Sequence, residues 1–195
     1  MKFLASDYDG TLRLAPQVDP ATAARVAQFQ KHGHCFGIVT GRALNLIYDE
    51  AHRNQVYPDV FICSNGAMIA DRDKNIIEAK WIPFERGCAL IAYLKQSDFE
   101  SFTFCNGEAS GYHINEHIHQ SARSLQRREL FFKTVQSEAE VLAAGRLISM
   151  AAWIEDRHRM AQIQAEIQEQ FGDIVESYLN RGTLDIVARG VSKQT

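Results

Sequence analysis

Three short apolar runs, KFLAS (residues 2–6), CFGIV (35–39) and VFIC (60–63), are separated by two stretches with helical apolar spacing. This alternation constrains the fold more than any other feature of the chain. Continuously apolar runs with β-branched or aromatic members suit strands covered on both faces. Between the first two lies VDPATAARVAQFQKHGH, in which Asp19 is a good N-cap and Pro20 fits the first helical position. Ala24, Val26, Ala27 and Phe29 make an apolar face there, and Gly33 supplies the stop. Between the second and third lies RALNLIYDEAHRNQ, a second amphipathic helix. The order β-α-β-α-β predicts parallel strands joined by right-handed crossovers.

Each of these strands ends in polar residues and a glycine: Asp7-Tyr8-Asp9-Gly10-Thr11, Thr40-Gly41-Arg42 and Ser64-Asn65-Gly66. In an open parallel sheet, ligands sit outside the carboxyl ends of the strands, so the three endings converge on one crevice. Asp7 and Asp9 repel each other, and each resists burial unless a cation or hydrogen-bond donors compensate. A plain Asp-Gly turn would explain the first ending alone. Two further polar endings at the same edge favour a site.

After residue 79 the texture changes. FTFCN and GYHIN alternate like a hairpin, and ELFFKTV, RLISMAAWI and IVESYLN read as further strands. Amphipathic helices near 137–144 and 156–171 separate them. This predicts an α+β unit at 83–180, inserted into a core made of 1–82 and 181–195, with hinges near Ile82 and Arg181. TLDIVARGVSKQT then falls to the core.

The 195 residues are 46% hydrophobic and 23% charged, the balance of a globular protein able to bury a core. A net charge of −3 gives no pull toward nucleic acid or an anionic membrane, and the basic cluster RSLQRR is too short to change that. Cys35, Cys63, Cys88 and Cys105 form no C-x-x-C pair, which favours reduced thiols and a cytoplasmic location over a disulfide or zinc framework. No apolar run reaches membrane-spanning length, and FLA after Lys2 is too short for a signal peptide. His113, His117 and His119 fit no standard zinc spacing and read as surface of the inserted unit or as substrate mouth, and Trp153 reads as core.

A phosphate ester suits the crevice. Displacing its alcohol needs a nucleophile, a proton for the leaving oxygen, and positive charge around the phosphoryl oxygens. Asp7 can attack to form an aspartyl-phosphate, and Asp9 can protonate the leaving group and later deprotonate the hydrolytic water. Mg²⁺ is the hard, oxygen-ligated ion that lets one anion approach another. Gly10 allows a sharp turn and Thr11 braces the loop through its hydroxyl. Thr40 is expected to head the second helix, forming an anion seat with the N–H groups behind it. Lys193 is the candidate for balancing charge.

DYDGTL, VTGR, SNGA, a long insertion and LDIVARGVSK, in that order, resemble the haloacid dehalogenase (HAD) superfamily of phosphatases, and more narrowly its Cof-type sugar-phosphate phosphatases. The resemblance covers the whole chain and implies an α/β fold, a Rossmann-like parallel sheet with an inserted α+β cap. It implies that Asp7 is nucleophile and Mg²⁺ ligand, and that Asp9 is acid/base with its backbone carbonyl also on the ion. It implies that Thr40, Gly41, the Tyr8 backbone and Lys193 hold the phosphoryl group, with Asn65 lining the site mouth and Arg42 a lesser candidate for the same site. An acid at position 9 argues against the true dehalogenases of the superfamily.

The function expected is Mg²⁺-dependent hydrolysis of a small phosphorylated metabolite. The family's fourth motif, G-D-x-x-N-D, does not follow Lys193; the nearest string, Gly172-Asp173-Ile174-Val175-Glu176, precedes it and reads as a helix stop entering a cap strand. The chain is therefore expected to be a fragment of a longer phosphatase or a protein that does without that ligand. The alternative function is a truncated or degenerate, non-catalytic member that binds a phosphorylated ligand or partner. A D-x-D transferase would explain neither Thr40 nor Lys193. The resemblance implies a strand order with strands two and three on one side of strand one and the strands of its other side after the lysine. Residues 3–8 are therefore expected to form an exposed edge through which the chain forms a homodimer or aggregates.

Overall fold

The computed structural model describes residues 1–122, 124–125, 135–180 and 182–192. The chain divides into two compact units, Met1–Ala79 together with Ser192, and Lys80–Val191.

The first unit opens with β1 (Phe3–Asp7), α1 (Pro20–Lys31), β2 (Cys35–Val39), α2 (Leu44–Arg53) and β3 (Val60–Cys63). β1 pairs parallel to β2, and β2 pairs parallel to β3. Asp19 caps α1, its carboxylate accepting from the Thr22 N–H, and Pro20 follows at the helix start. The stripe that α1 buries runs through Ala23 and Val26, three residues apart; Ala24, expected on that face, is exposed. α2 buries Leu44, Ile47 and Ala51, and Phe36, Ile38 and Phe61 of the sheet are buried with them.

Two strands were not read in the sequence. β4 (Met68–Asp71) and β5 (Ile76–Ala79) form a hairpin that extends the sheet antiparallel to β3, giving the order β1-β2-β3-β4-β5. The Asp71 carboxylate nucleates its turn by accepting from the N–H groups of Asp73 and Asn75 and from the Asn75 side chain. Among the described residues β1 pairs with β2 alone, so β1 lies at the sheet edge, with Phe3 55% and Leu4 49% exposed.

Among the described residues, the second unit holds an antiparallel sheet in the order β7-β6-β8-β10-β9 together with helices. The strands are β6 (Ser101–Cys105), β7 (Ser110–Ile114), β8 (Ser149–Trp153), β9 (Val175–Asn180) and β10 (Thr183–Ala188). Its helices include α3 (Phe84–Gln96), α4 (Glu138–Leu142) and α5 (Arg157–Phe171). Asn115, 1% exposed, ties α3 to this sheet by donating from its side-chain nitrogen to the carbonyls of Leu94, Ser97 and Phe99. The expected strand ELFFKTV, the cluster RSLQRR and the hinge residue Arg181 fall wholly or largely outside the described residues.

One assignment is corrected. TLDIVA is a strand of the second unit, not of the core: β10 pairs antiparallel with both β8 and β9, burying Leu184 and Ile186 completely. A short connection through Gly182, at φ +92°, folds it straight back onto β9, from Asn180 to Thr183. The division between units therefore falls at Ala79/Lys80 and Val191/Ser192, where the sequence suggested 82/83 and 180/181.

Asp173 belongs to this unit as well. Arg86 grips its carboxylate through both terminal nitrogens, at 3.0 and 2.9 Å, and this pairing holds the carboxyl below its ordinary pKa. Gly172 ends α5 at φ −66°, so it is not a left-handed cap; a Cβ there would meet the Gln168 carbonyl oxygen at 2.3 Å, and close approach explains the glycine. Trp153 is 7% exposed, and all four cysteines are free thiols.

Candidate active site

The parallel register assembles the candidate site within the first unit. Asp7 pairs with Val39, and Val39 pairs with Ile62. The residues that follow each strand, Tyr8-Asp9, Thr40-Gly41-Arg42 and Ser64-Asn65, therefore leave the sheet side by side.

Residues 7–13 close into a tight loop. The Asp7 carbonyl accepts from the Leu12 N–H at 3.1 Å, the Tyr8 carbonyl from Arg13 at 2.8 Å, and the Arg13 carbonyl from Gly10 at 3.0 Å. This path needs φ +83° at Gly10, a left-handed conformation that a side chain would strain. Asp7 ends β1, and the Thr11 hydroxyl donates to its Oδ2 at 3.4 Å. Tyr8, between the two acids, is fully buried. Its hydroxyl accepts from the Asn54 side chain at 3.2 Å. Burial first, then the nearby Glu50 carboxylate, push its pKa to about 12.

Thr40 does not head a helix, which corrects the sequence expectation. α2 starts four residues later at Leu44, with Ala43 in the cap position and no side-chain cap bond. Thr40 is 2% exposed and instead stitches loops together. Its N–H donates to Ile62, its carbonyl accepts from Asn65 and its hydroxyl accepts from the Arg42 N–H. Ser64 and Asn65 follow in left-handed backbone, at φ +51° and +57°, and both are buried. Such conformations cost on the order of 1–3 kcal/mol each, and they concentrate where a loop has a task. Gly41 is partly buried between Thr40 and Arg42. Lys193 lies outside the described residues.

Asp9 sits in a ring of charge that the sequence reading did not foresee. Arg42 donates to it from Nε (2.7 Å to Oδ2) and from Nη2 (2.8 Å to Oδ1), and Arg13 Nη2 donates to Oδ1 at 2.6 Å. Glu50 on α2 meets both guanidiniums from other nitrogens, Arg42 Nη1 at 2.6 Å and Arg13 Nη1 at 3.2 Å. Burial alone would raise the Asp9 pKa, but the hydrogen bonds and charge of Arg42, then of Arg13, outweigh it and hold the carboxyl below its ordinary value. Burial would likewise lower the Arg42 pKa, and Asp9 and Glu50 overturn that and raise it. The i, i+4 spacing of Asp9 and Arg13 was a visible signal for one pair; nothing in the sequence pointed to Glu50.

The loop offers a metal ion one carboxylate, Asp7, and the backbone carbonyl of Asp9. No cluster of three or more His, Cys, Asp or Glu able to hold a metal occurs among the described residues, the cap histidines included. Nor is any helix among them long and apolar enough to cross a membrane.

A solved HAD-like hydrolase from Bacillus subtilis superposes with a TM-score of 0.76 at 18% identity, covering 99% of this chain and 75% of that one. A HAD-superfamily phosphatase from Bacteroides thetaiotaomicron gives 0.70 at 18% identity, covering 99% and 69%. A sugar phosphatase of HAD subclass IIB gives 0.68 at 21% identity, covering 100% and 72%. At these identities the likeness speaks to the fold. An uncharacterized protein of Mycoplasma capricolum is 29% identical in an alignment of 124 residues that covers 58% of this chain and about half, 46%, of that relative's length. The sequence profile of the haloacid dehalogenase-like hydrolases matches residues 4–195. With the three loops gathered at one sheet edge and a match over nearly its whole length, the chain belongs to the haloacid dehalogenase-like hydrolase family.

Proposed function

We propose that this protein hydrolyses phosphate monoesters of small metabolites, of the sugar-phosphate kind, through an aspartyl-phosphate on Asp7. One observation carries the reading: Asp7 stands at the carboxyl end of β1, where the register sets it beside the buried Thr40 loop and the strained Ser64-Asn65 loop. Family membership and a sugar phosphatase among the similar folds support it.

In this reading an Asp7 carboxylate oxygen attacks phosphorus, and the bond from phosphorus to the ester oxygen breaks. Asp9 in its acid form gives the departing alkoxide a proton. A water then attacks the phosphoryl group, losing a proton to Asp9, and phosphate and free Asp7 are returned. The Thr40 loop and Lys193 hold the phosphoryl oxygens, and Thr11 keeps the Asp7 carboxylate oriented through its hydroxyl.

One carboxylate and one carbonyl fit a Mg²⁺ that keeps most of its waters, as this ion often does. Asp7 and the Asp9 carbonyl would hold it, and when bound it supplies positive charge between nucleophile and phosphate.

The engagement of Asp9 by two arginines favours a second reading, a non-catalytic binder of phosphorylated ligands. Turnover of p-nitrophenyl phosphate and a sugar-phosphate panel with Mg²⁺ separates the two. Phosphate release that Asp7→Asn abolishes supports hydrolysis. Calorimetric binding of inorganic phosphate without any release supports the binder.

A further inference from the structure

Asp9, Arg13, Arg42 and Glu50 form a closed ring in which each guanidinium bridges the two carboxylates. Arg42 donates from Nε and Nη2 to Asp9 and from Nη1 to Glu50; Arg13 donates from Nη2 to Asp9, and its Nη1 lies 3.2 Å from Glu50 Oε1 as an ion pair without a hydrogen bond. Both guanidinium carbons lie 5.6 Å from the centroid of the buried Tyr8 ring, which gives the cations a common support. The four charges sum to zero. Three members come from loops, residues 9 and 13 after β1 and residue 42 after β2, whereas Glu50 is well inside α2.

That difference in footing matters. Arginine side chains have many rotamers, and an exposed pair holding one carboxylate gains little over the entropy it loses. A carboxylate on a packed helix that accepts from a further nitrogen of Arg42 fixes that guanidinium's plane, and a planar fork so fixed orients its other partner, while the ion pair with Arg13 adds charge to the same anchor. The Glu50 side chain is 20% exposed against 42% for Asp9, so the anchor is the less solvated of the two acids.

We propose that Glu50 is a positioning residue for the acid/base carboxylate of Asp9, acting through Arg42 and Arg13. The positioning of Asp9 is a property of the ring itself; its catalytic consequence rests on the hydrolase reading above. The ring also engages both oxygens of Asp9, so proton delivery to a leaving group requires Asp9 to give up part of this grip.

The test uses the full 195-residue chain and two readouts. In ¹⁵N-labelled protein, with Arg42→Lys supplying the assignment, the Arg42 Nε–H resonance is expected to be slow to exchange, with hindered rotation of its guanidinium. Glu50→Ala is expected to abolish that protection at Arg42, and Glu50→Asp, one methylene shorter, to keep part of it. With p-nitrophenyl phosphate, Glu50→Ala is expected to lower kcat about tenfold with KM within about twofold, the pattern of a misplaced catalytic group, and Glu50→Asp to recover part of the loss. Unchanged arginine signals in Glu50→Ala, or a loss confined to KM, overturns the proposal. Should Glu50→Ala lose its fold by circular dichroism, the isosteric Glu50→Gln decides: without the carboxylate's charge the Arg42 protection is expected to fall, and protection equal to wild type overturns the proposal. Absence of turnover in the wild type counts against the hydrolase reading and leaves the arginine signals to judge the ring.

Discussion

Arg42 holds Asp9 from two nitrogens, at 2.7 and 2.8 Å, while a third nitrogen of the same guanidinium donates to Glu50 at 2.6 Å. A residue that its motif offered only as a lesser site candidate thus links the second acid of D-x-D to helix α2. The acid that should exchange protons with substrate and water rests among cations, and its behaviour in solution should show it.

That residence has a pH signature. Asp9 has a folded pKa below its unfolded value near 3.8, so its pairing contributes stability above that value and loses it as pH falls through the lower, folded pKa. Thermal melts from pH 5 downward should show the wild-type Tm falling more steeply below about pH 4 than that of Asp9→Asn. Parallel curves would mean that the arginines do not hold Asp9 in solution.

Asp7→Asn should leave far-UV circular dichroism and Tm close to wild type, because Asp7 ends an edge strand, while lowering phosphate release by about three orders of magnitude or more, as loss of a covalent nucleophile does. An equally active variant would place the nucleophile elsewhere.

Mg²⁺ should bind weakly. With one carboxylate and one carbonyl offered by the loop, little charge offsets the ion's reluctance to shed water. Calorimetric titration is expected to fall short of saturation at ordinary assay concentrations, and Asp7→Asn to remove the remaining heat. Submicromolar affinity would reveal a further acid at the site.

The edge of β1 should be adhesive. Phe3 and Leu4 are about half exposed on a strand that pairs with β2 alone among the described residues. Unpaired edges of this kind recruit other strands, and we propose a second copy of this chain as the occupant. Light scattering is expected to give a mass above 22.0 kDa, and Leu4→Lys to shift it to the monomer. A monodisperse wild-type monomer would exclude the pairing.

In the second unit, Asn115→Ala should destabilise by roughly 1–3 kcal/mol in a urea melt, since it leaves the carbonyls of Leu94, Ser97 and Phe99 without a shared buried donor. A change within experimental error would show that another donor or water replaces the amide.

The sequence by itself determined the β-α-β-α-β start and the gathering of its polar endings. A strand buried on both faces must be continuously apolar, and parallel strands linked by helices must all end on the same side, so CFGIV before Thr40 and VFIC before Ser64 are legible without coordinates. Local rules also supplied the α1 cap at Asp19 and the turn at Gly10. They failed where an apolar segment could serve either of two sheets. TLDIVA has the composition of any strand, and it is the return through Gly182 onto β9 that sends it to the second unit. They failed again at Thr40, because the start of α2 depends on where Leu44 and Ile47 become buried. The charge ring was beyond their reach for a stronger reason. Glu50 lies 41 positions after Asp9, and the two meet only through guanidiniums whose placement follows from how α2 packs on the sheet. Periodicity records which face of a helix is buried; which of its polar residues then faces a particular loop is decided by the packed tertiary structure.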